Sequence, residues 1–416
     1  MKNYLFVIIL IFIFAGTTSA RKEYKQLRSF IKNGNNFDKG MQIVDKLQKD
    51  SSTMSDPELY SLAAQLQIKR NDVENQKIYL KQKADTSALF LSTYNIFKYY
   101  ILMDEKEGIP DKKGRIHHMS RGKIHPILKR YYPNLYNAGV FFMKKKNYAD
   151  AYLYFSMYID AAQSPILSKE NYLKRDKNLP RAAFWAMASS YEQKKYENVF
   201  RYDSLAMNDT ANIELCYQYK AMSYAALKNY AGMERELMAG LHERPQNLFF
   251  FSHLTDYYNS RKDYTKALNL CDSLIKSDPN QLIYRFGKSV ELFYLKRYDE
   301  CKTLSKEIIA KDSSNSDAYY YLASCYYNQA TDIEAKIDPN INSKSFKEDK
   351  KRAESLFNEA LPYMEQYRKM RPDDQARWAA PLYRISLSLN KGKLFDEMDK
   401  LLKESEAKEK VEKEKK

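Results

Sequence analysis

Tyr196, Tyr230, Tyr264 and Tyr298 follow one another at intervals of 34 residues, and Pro245 and Pro279 are separated by the same interval. The chain holds 36 tyrosines, so four in one phase can arise by chance. A second residue type in that phase, with matching apolar positions between, is much harder to reach that way. Self-similarity at this period marks stacked helical hairpins. Two short amphipathic helices cannot hide their apolar faces alone, so each hairpin must stack on the next. Small residues let the helices approach, and burying each large aromatic between them contributes roughly 2–3 kcal/mol. A proline closes the second helix, because it lacks an N–H and clashes with the preceding turn. Only 11 glycines and 12 prolines in 416 residues, with a hydrophobic fraction of 44%, suit an all-helical chain with an ample core.

Three stretches repeat one pattern. The clearest reads Phe251, Leu254, Thr255, Tyr258, then Ala267, Cys271 and Pro279. An earlier copy reads Leu135, Ala138, Gly139, Phe142, Ala151 and Phe155. A later one opens with Tyr319, Leu322, Ala323 and Tyr326, and its second half, Ala353 and Phe357, is displaced by an insertion. This phasing resembles the tetratricopeptide repeat family, with its W-x2-L-G-x2-Y, A-x3-F and P marks. The resemblance covers most of the chain after residue 132, and no copy is perfect. It implies an all-α, right-handed superhelical solenoid of helix-turn-helix repeats that binds other proteins.

Residues 1–20 have the form of a secretory signal. Lys2 supplies the positive start, Leu5 to Ala15 is unbroken apolar sequence, and Thr18-Ser19-Ala20 precedes the expected cut. The apolar run is too short to span a bilayer comfortably. The expectation is a soluble, exported protein, periplasmic in a Gram-negative bacterium. Export makes nucleic acid a poor partner for the net charge of +16, which favours anionic surfaces and acidic proteins. Cys271 and Cys301 fall on core positions of the repeat, so the four cysteines are expected to be free core thiols.

Along the chain, residues 21–131 read as degenerate N-terminal helical repeats. Tyr24, Leu27 and Ile31 form one apolar stripe, and Phe37, Ile43, Val44 and Leu47 a second. Ala88 to Met103 is apolar nearly all round and should be buried. Residues 104–131 are expected to be a basic loop, holding His117, His118 and His125 with Lys112, Lys113, Arg115, Arg121, Lys123, Lys129 and Arg130. No Asp, Glu or Cys stands among these histidines at ligand spacing, so no metal or other cofactor is expected. The repeat array runs from 132 to 402, with insertions at 164–179 and 329–350. A charged tail, 403–416, carries i,i+4 Glu/Lys pairs and reads as a solvated helical extension.

Nothing in the chain has the spacing of a catalytic set. Gly287-Lys288-Ser289 lacks the first glycine of a phosphate loop, and His242-Glu243 lacks a second histidine. The expectation is therefore a non-catalytic scaffold or adaptor. By the family's phasing, the first helix of each repeat would line a concave wall. Its aromatic members are Tyr136, Phe184, Tyr191, Phe249, Phe286, Phe293, Tyr320 and Tyr327. The same phasing adds Val140, Met143, Leu215, Gln218, Met222, Ser252, Asp256, Asn259, Ile283, Val290 and Ser324. This wall lacks the Lys and Asn of the family's carboxylate-gripping subset, and suits an extended segment or helix of a protein partner. The second reading is a basic binder of an anionic polymer or membrane surface through the loop. Oligomeric state is not legible.

Overall fold

The computed structural model describes residues 20–110 and 113–414, so the signal-like apolar run lies outside the described residues. The described residues contain no strand, and none of their helices is long and apolar enough to cross a membrane. The chain divides into two compact units, Met1–Arg244 and Pro245–Lys416.

The first unit begins with α1 (20–33), α2 (Phe37–Lys49), α3 (Pro57–Tyr79) and α4 (Thr86–Glu107). The apolar stripes expected there are the core: Leu27, Val44, Leu47, Leu59, Leu66, Ile96 and Phe97 are all at most 1% exposed. Next come α5 (Arg121–Lys144) and α6 (Tyr148–Gln163), a 3-10 turn at Pro165–Glu170 and the one-turn helix α7 (Tyr172–Arg175). The unit ends with α8 (Leu179–Glu192), a 3-10 turn at Tyr196–Phe200, the one-turn α9 (Asp203–Ala206), α10 (Ile213–Ala226) and α11 (Tyr230–Glu243).

The second unit comprises α12 (Leu248–Ser260), α13 (Tyr264–Ser277), α14 (Leu282–Tyr294), α15 (Tyr298–Lys311), α16 (Ser316–Glu334), α17 (Lys344–Met370), α18 (Gln375–Ser388) and α19 (Gly392–Glu414). Consecutive members pair as antiparallel hairpins, and α13 also packs on α14, α15 on α16 and α17 on α18. The all-α repeat architecture read from the sequence is therefore present, and the charged tail continues α19 as a helix to Glu414.

The period has a structural meaning. Tyr230, Tyr264 and Tyr298 are each the first residue of a second helix, and Tyr196 opens the 3-10 turn that stands in that place. Two residues earlier, Lys194, Lys228, Lys262 and Lys296 all have φ of 58–59°, and Lys146, with φ of 56°, stands in the same place before α6. The left-handed residue ends the first helix: the next amide reaches back to close it, as in Asp263 N–H to Tyr258 O at 2.9 Å and Arg297 N–H to Leu292 O at 2.9 Å. Asn229 and Asp263 then cap the second helix by accepting from the backbone N–H groups of Gly232 and Lys266.

Two expected boundaries are corrected. The expected basic loop 104–131 shrinks to 108–120, because α5 starts at Arg121 and runs through Pro126 and Pro133. A proline inside a helix costs about 3 kcal/mol. Ile124, Leu128, Tyr131, Tyr132 and Leu135 are all buried along α5, at roughly 1.5–3 kcal/mol each, and outweigh that cost. Likewise the expected insertion 329–350 is mostly helix: α16 continues to Glu334 and α17 begins at Lys344. Only the Asp338-Pro339-Asn340 turn and its flanks interrupt it, with Asp338 accepting from the Asn340 N–H at 2.9 Å. The insertion at 164–179 is docked on the first unit's core. Ile166 and Leu167 are buried, and Asp176 accepts from the hydroxyls of Tyr132 and Tyr158. The rings of Tyr158, Tyr132 and Tyr172 stack in that order, 4.3 and 4.1 Å apart.

Candidate binding cavity

In the second unit, side chains from α12, α13, α14, α16 and α18 line an open cavity of about 460 Å³. Ser252, Asp256 and Asn259 project from α12, and Ile283, Phe286, Gly287, Val290, Glu291 and Tyr294 from α14. Asp317 and Tyr321 come from α16, Arg377 from α18, and Tyr264 from the start of α13. Spacings of three and four residues put these positions on one face of each helix. Gly287 keeps the floor open: a Cβ there would lie 2.8 Å from the Phe251 ring and 3.2 Å from Cys271 Sγ. The triplet Gly287-Lys288-Ser289 is thus a packing element inside α14. The rings of Tyr264 and Tyr294 stack 4.8 Å apart on one wall.

Charge sets this cavity apart from the chain around it. Its lining carries Asp256, Glu291 and Asp317 against the single guanidinium of Arg377, in a chain of net charge +16. Arg377 is already engaged: its Nη1 donates to Asp317 at 2.9 Å, and its guanidinium lies 4.8 Å from the Tyr320 ring centre. Glu291 is 1% exposed. Asn259 Nδ2 donates to its Oε1 at 2.9 Å, while its Oε2 and the Asn259 Oδ1 are buried without a hydrogen-bond partner. Burial pushes the Glu291 carboxyl up to about 7, and the Asn259 bond only partly opposes this. The nearby ammonium of Lys288 pairs with Asp272 at 2.6 Å instead.

The eight aromatic residues expected to form the binding wall are divided between the two units. Tyr136, Phe184 and Tyr191 belong to the first unit and the other five to the second. Phe184 is 2% exposed and packs within the first unit's core, so it is a packing residue and not a contact surface. Tyr136 leans on Phe155 and Tyr158, and Tyr191 on Tyr196 and Tyr219. Phe249 lies against His253, Phe293 against Tyr298 and Tyr321, and Tyr327 against Phe357, each half-buried. Phe286 alone of the eight lines the cavity. Ser252, Asp256, Asn259, Ile283 and Val290, placed by the repeat phase, line it too.

Glu291 was not singled out in the sequence, although a signal existed. It follows the buried Tyr284 by seven residues, two helical turns, which sets a lone carboxylate on the inward face of α14.

The histidines of the basic stretch are also placed. His118 Nδ1 lies 3.0 Å from Asp104 Oδ1, and His125 Nε2 lies 3.0 Å from Glu170 Oε1. Asp104, Glu107 and His118 come close enough to share an ion, a grouping the sequence spacing concealed because the acids sit at the end of α4. Those donors are occupied: Arg121 donates to both Asp104 oxygens at 2.6 and 2.9 Å, and Ser120 donates to Glu107. Lys129 pairs with Glu170 at 2.9 Å, so two cations of the stretch are neutralised locally. All four cysteines are buried and unbridged. Burial pushes the thiols of Cys216 and Cys271 up to about 12, which makes them poor nucleophiles.

Neither a protein-family model nor a curated protein matches the chain. Solved structures do. A TPR repeats protein from Bacteroides fragilis is 18% identical, with 65% of this chain and 98% of that chain covered and a TM-score of 0.32. The C-terminal part of a TPR repeat-containing protein from Cytophaga hutchinsonii is 14% identical, over 62% of this chain and 97% of that chain, with a TM-score of 0.35. A tetratricopeptide repeat protein from Parabacteroides merdae is 12% identical, over 65% and 98%, with a TM-score of 0.34. These neighbours are TPR-repeat proteins, the type of repeat read from the sequence of this chain.

Proposed function

We propose that this chain is an exported, non-catalytic scaffold that holds a segment of a protein partner, with the second-unit cavity as its principal contact site. The observation that carries this is the cavity itself: a recess of about 460 Å³ combining aromatic walls with a few convergent polar groups, in the size range of ligand sites. Phe286, Ile283 and Val290 offer apolar surface, and Ser252, Asp256 and Asn259 offer polar contacts beside it. No nucleophile in the cavity stands beside a base, which favours binding over catalysis. Export rests on the apolar run Leu5 to Ala15 behind Lys2, and periplasmic residence is proposed on that basis alone.

A photo-cross-linking amino acid placed at Ser252, which is exposed and lines the cavity, tests the reading. The same residue at Thr303, exposed on α15 and outside the cavity, is the control. A discrete protein adduct from position 252 in native cell extracts, lost on Phe286→Ala in a chain that keeps its helical spectrum, is expected. Equal adducts from both positions overturn the reading. Export is checked separately, by N-terminal sequencing of the mature protein; retention of Met1 overturns it.

A further inference from the structure

Two acceptors stand without donors at the cavity, Glu291 Oε2 and Asn259 Oδ1, on neighbouring side chains already bonded to each other. A buried oxygen without a donor costs about 1–3 kcal/mol, and more when charged. Both acceptors can be answered at once by a group that brings two or more N–H or O–H donors. A hydroxyl brings one donor, and an anion would face a floor of like charge. An ammonium group brings three donors and a compensating charge. The rings of Phe286, Tyr264, Tyr294 and Tyr321 around the cavity add faces over which a cation is favoured.

We propose that the second-unit cavity receives an alkylammonium group, with Glu291 as its counter-ion, Asn259 as a second acceptor and the aromatic wall holding the aliphatic stem. The proposal rests on the reading of the cavity as the partner site and adds what the partner presents there, a lysine side chain on a bound segment. A free alkylamine shares that chemistry.

The neighbouring elements leave Glu291 to this role. The titratable groups around the cavity from other helices include Asp256 on α12, Tyr264, Cys271 and Asp272 on α13, and Asp317 and Tyr321 on α16, none of which brings a positive charge. Arg377 on α18 is paired with Asp317, and Lys288 on α14 itself with Asp272. The site is therefore poised: an arriving ammonium ionises Glu291, whose carboxyl is held near neutrality while empty. Binding below pH 7 thus expels a proton from Glu291.

Titration calorimetry on the full chain tests this with three probes: a capped Gly-Lys-Gly peptide, its norleucine counterpart, and free pentylamine. The lysine peptide is expected to bind saturably, and the norleucine peptide at least about tenfold more weakly, the equivalent of 1.4 kcal/mol. Glu291→Gln should remove that preference, and Glu291→Asp, which keeps the charge but shortens its reach, should retain part of it. At pH 6 the heat of binding should vary with buffer ionisation enthalpy, reporting proton release, and this variation should vanish in Glu291→Gln. Pentylamine binding as tightly as the peptide supports the ammonium site and assigns it to free amines instead of a segment. Equal binding of lysine and norleucine peptides, no binding of any probe, or a Glu291→Gln chain that binds as before overturns the proposal. If it falls while cross-linking at position 252 still captures a partner, the scaffold reading stands alone. If lysine binds and position 252 captures nothing, the scaffold reading falls and the amine site remains.

Discussion

Five carboxylates are buried among the described residues, and the two units treat them differently. In the first unit, Asp104 faces Arg121, Asp209 faces Arg181, Glu236 faces Lys220 and Arg235, and Glu74 faces Lys77 and the Asp85 N–H. Each is neutralised within the fold, as a buried charge must be if it is only to fill space. In the second unit Glu291 faces an amide, and one of its oxygens faces nothing. The same kind of residue is a finished structural part in one place and an unfinished site in the other. A buried acid is informative about function only when its partners have been counted.

The largest test removes a neutralising partner from the first unit. Arg181→Met should leave Asp209 with Asn212 alone and lower stability by about 3 kcal/mol by urea denaturation, discounted because Arg181 is part-exposed. A loss under 1 kcal/mol would mean that the pairs of the first unit matter no more than surface ones.

The converse holds at Glu291. The folded chain keeps its proton to about pH 7, whereas the unfolded chain releases it near the ordinary 4.5. The folded state thus binds more protons in that window, and stability should fall as pH rises from 4.5 to 7, by roughly 2–3 kcal/mol in total. Glu291→Gln should abolish that fall and be about 2 kcal/mol more stable than the parent at pH 8. A parent whose midpoint does not move with pH in that range would place Glu291 on the same footing as the acids of the first unit.

Gly287→Ala sharpens the contrast by intruding on the cavity floor without touching charge. The new methyl meets the Phe251 ring and Cys271, and a loss of about 1–2 kcal/mol is expected, read as a lower thermal midpoint. The smallest effects should be shared by the two units. Lys228→Gly in the first and Lys262→Gly in the second each relieve a left-handed backbone, and each should gain about 0.5–1 kcal/mol. Unequal gains would show that the hairpin turns are not equivalent.

These contrasts separate what was legible in the residues from what was not. The 34-residue tyrosine phase located the second helices, because a repeat must place like residues in like settings to stack. The left-handed lysines share that phase but were invisible as turn signals, since lysine is not a residue that favours positive φ. Pro126 falls in the expected loop because local preference argues for it, and burial along α5 overrides that preference. The cavity was half legible: phase named Asp256, Asn259, Phe286 and Val290, but the same phase also named Phe184, which the core absorbs. Glu291 carried only one faint signal, its seven-residue spacing from Tyr284, because an inward carboxylate otherwise looks, in one dimension, like any surface acid.

The hydroxyl of Tyr284 donates to the carbonyl of Pro245 at 2.6 Å, joining α14 to the segment that opens the second unit, 39 residues earlier. Each hairpin in such a stack is held chiefly by neighbours, so the leading edge of the second unit depends on a bond supplied by the repeat behind it. Under tension this would act as a latch: the opening segment of the unit stays fastened to α14 as long as one phenol holds one carbonyl.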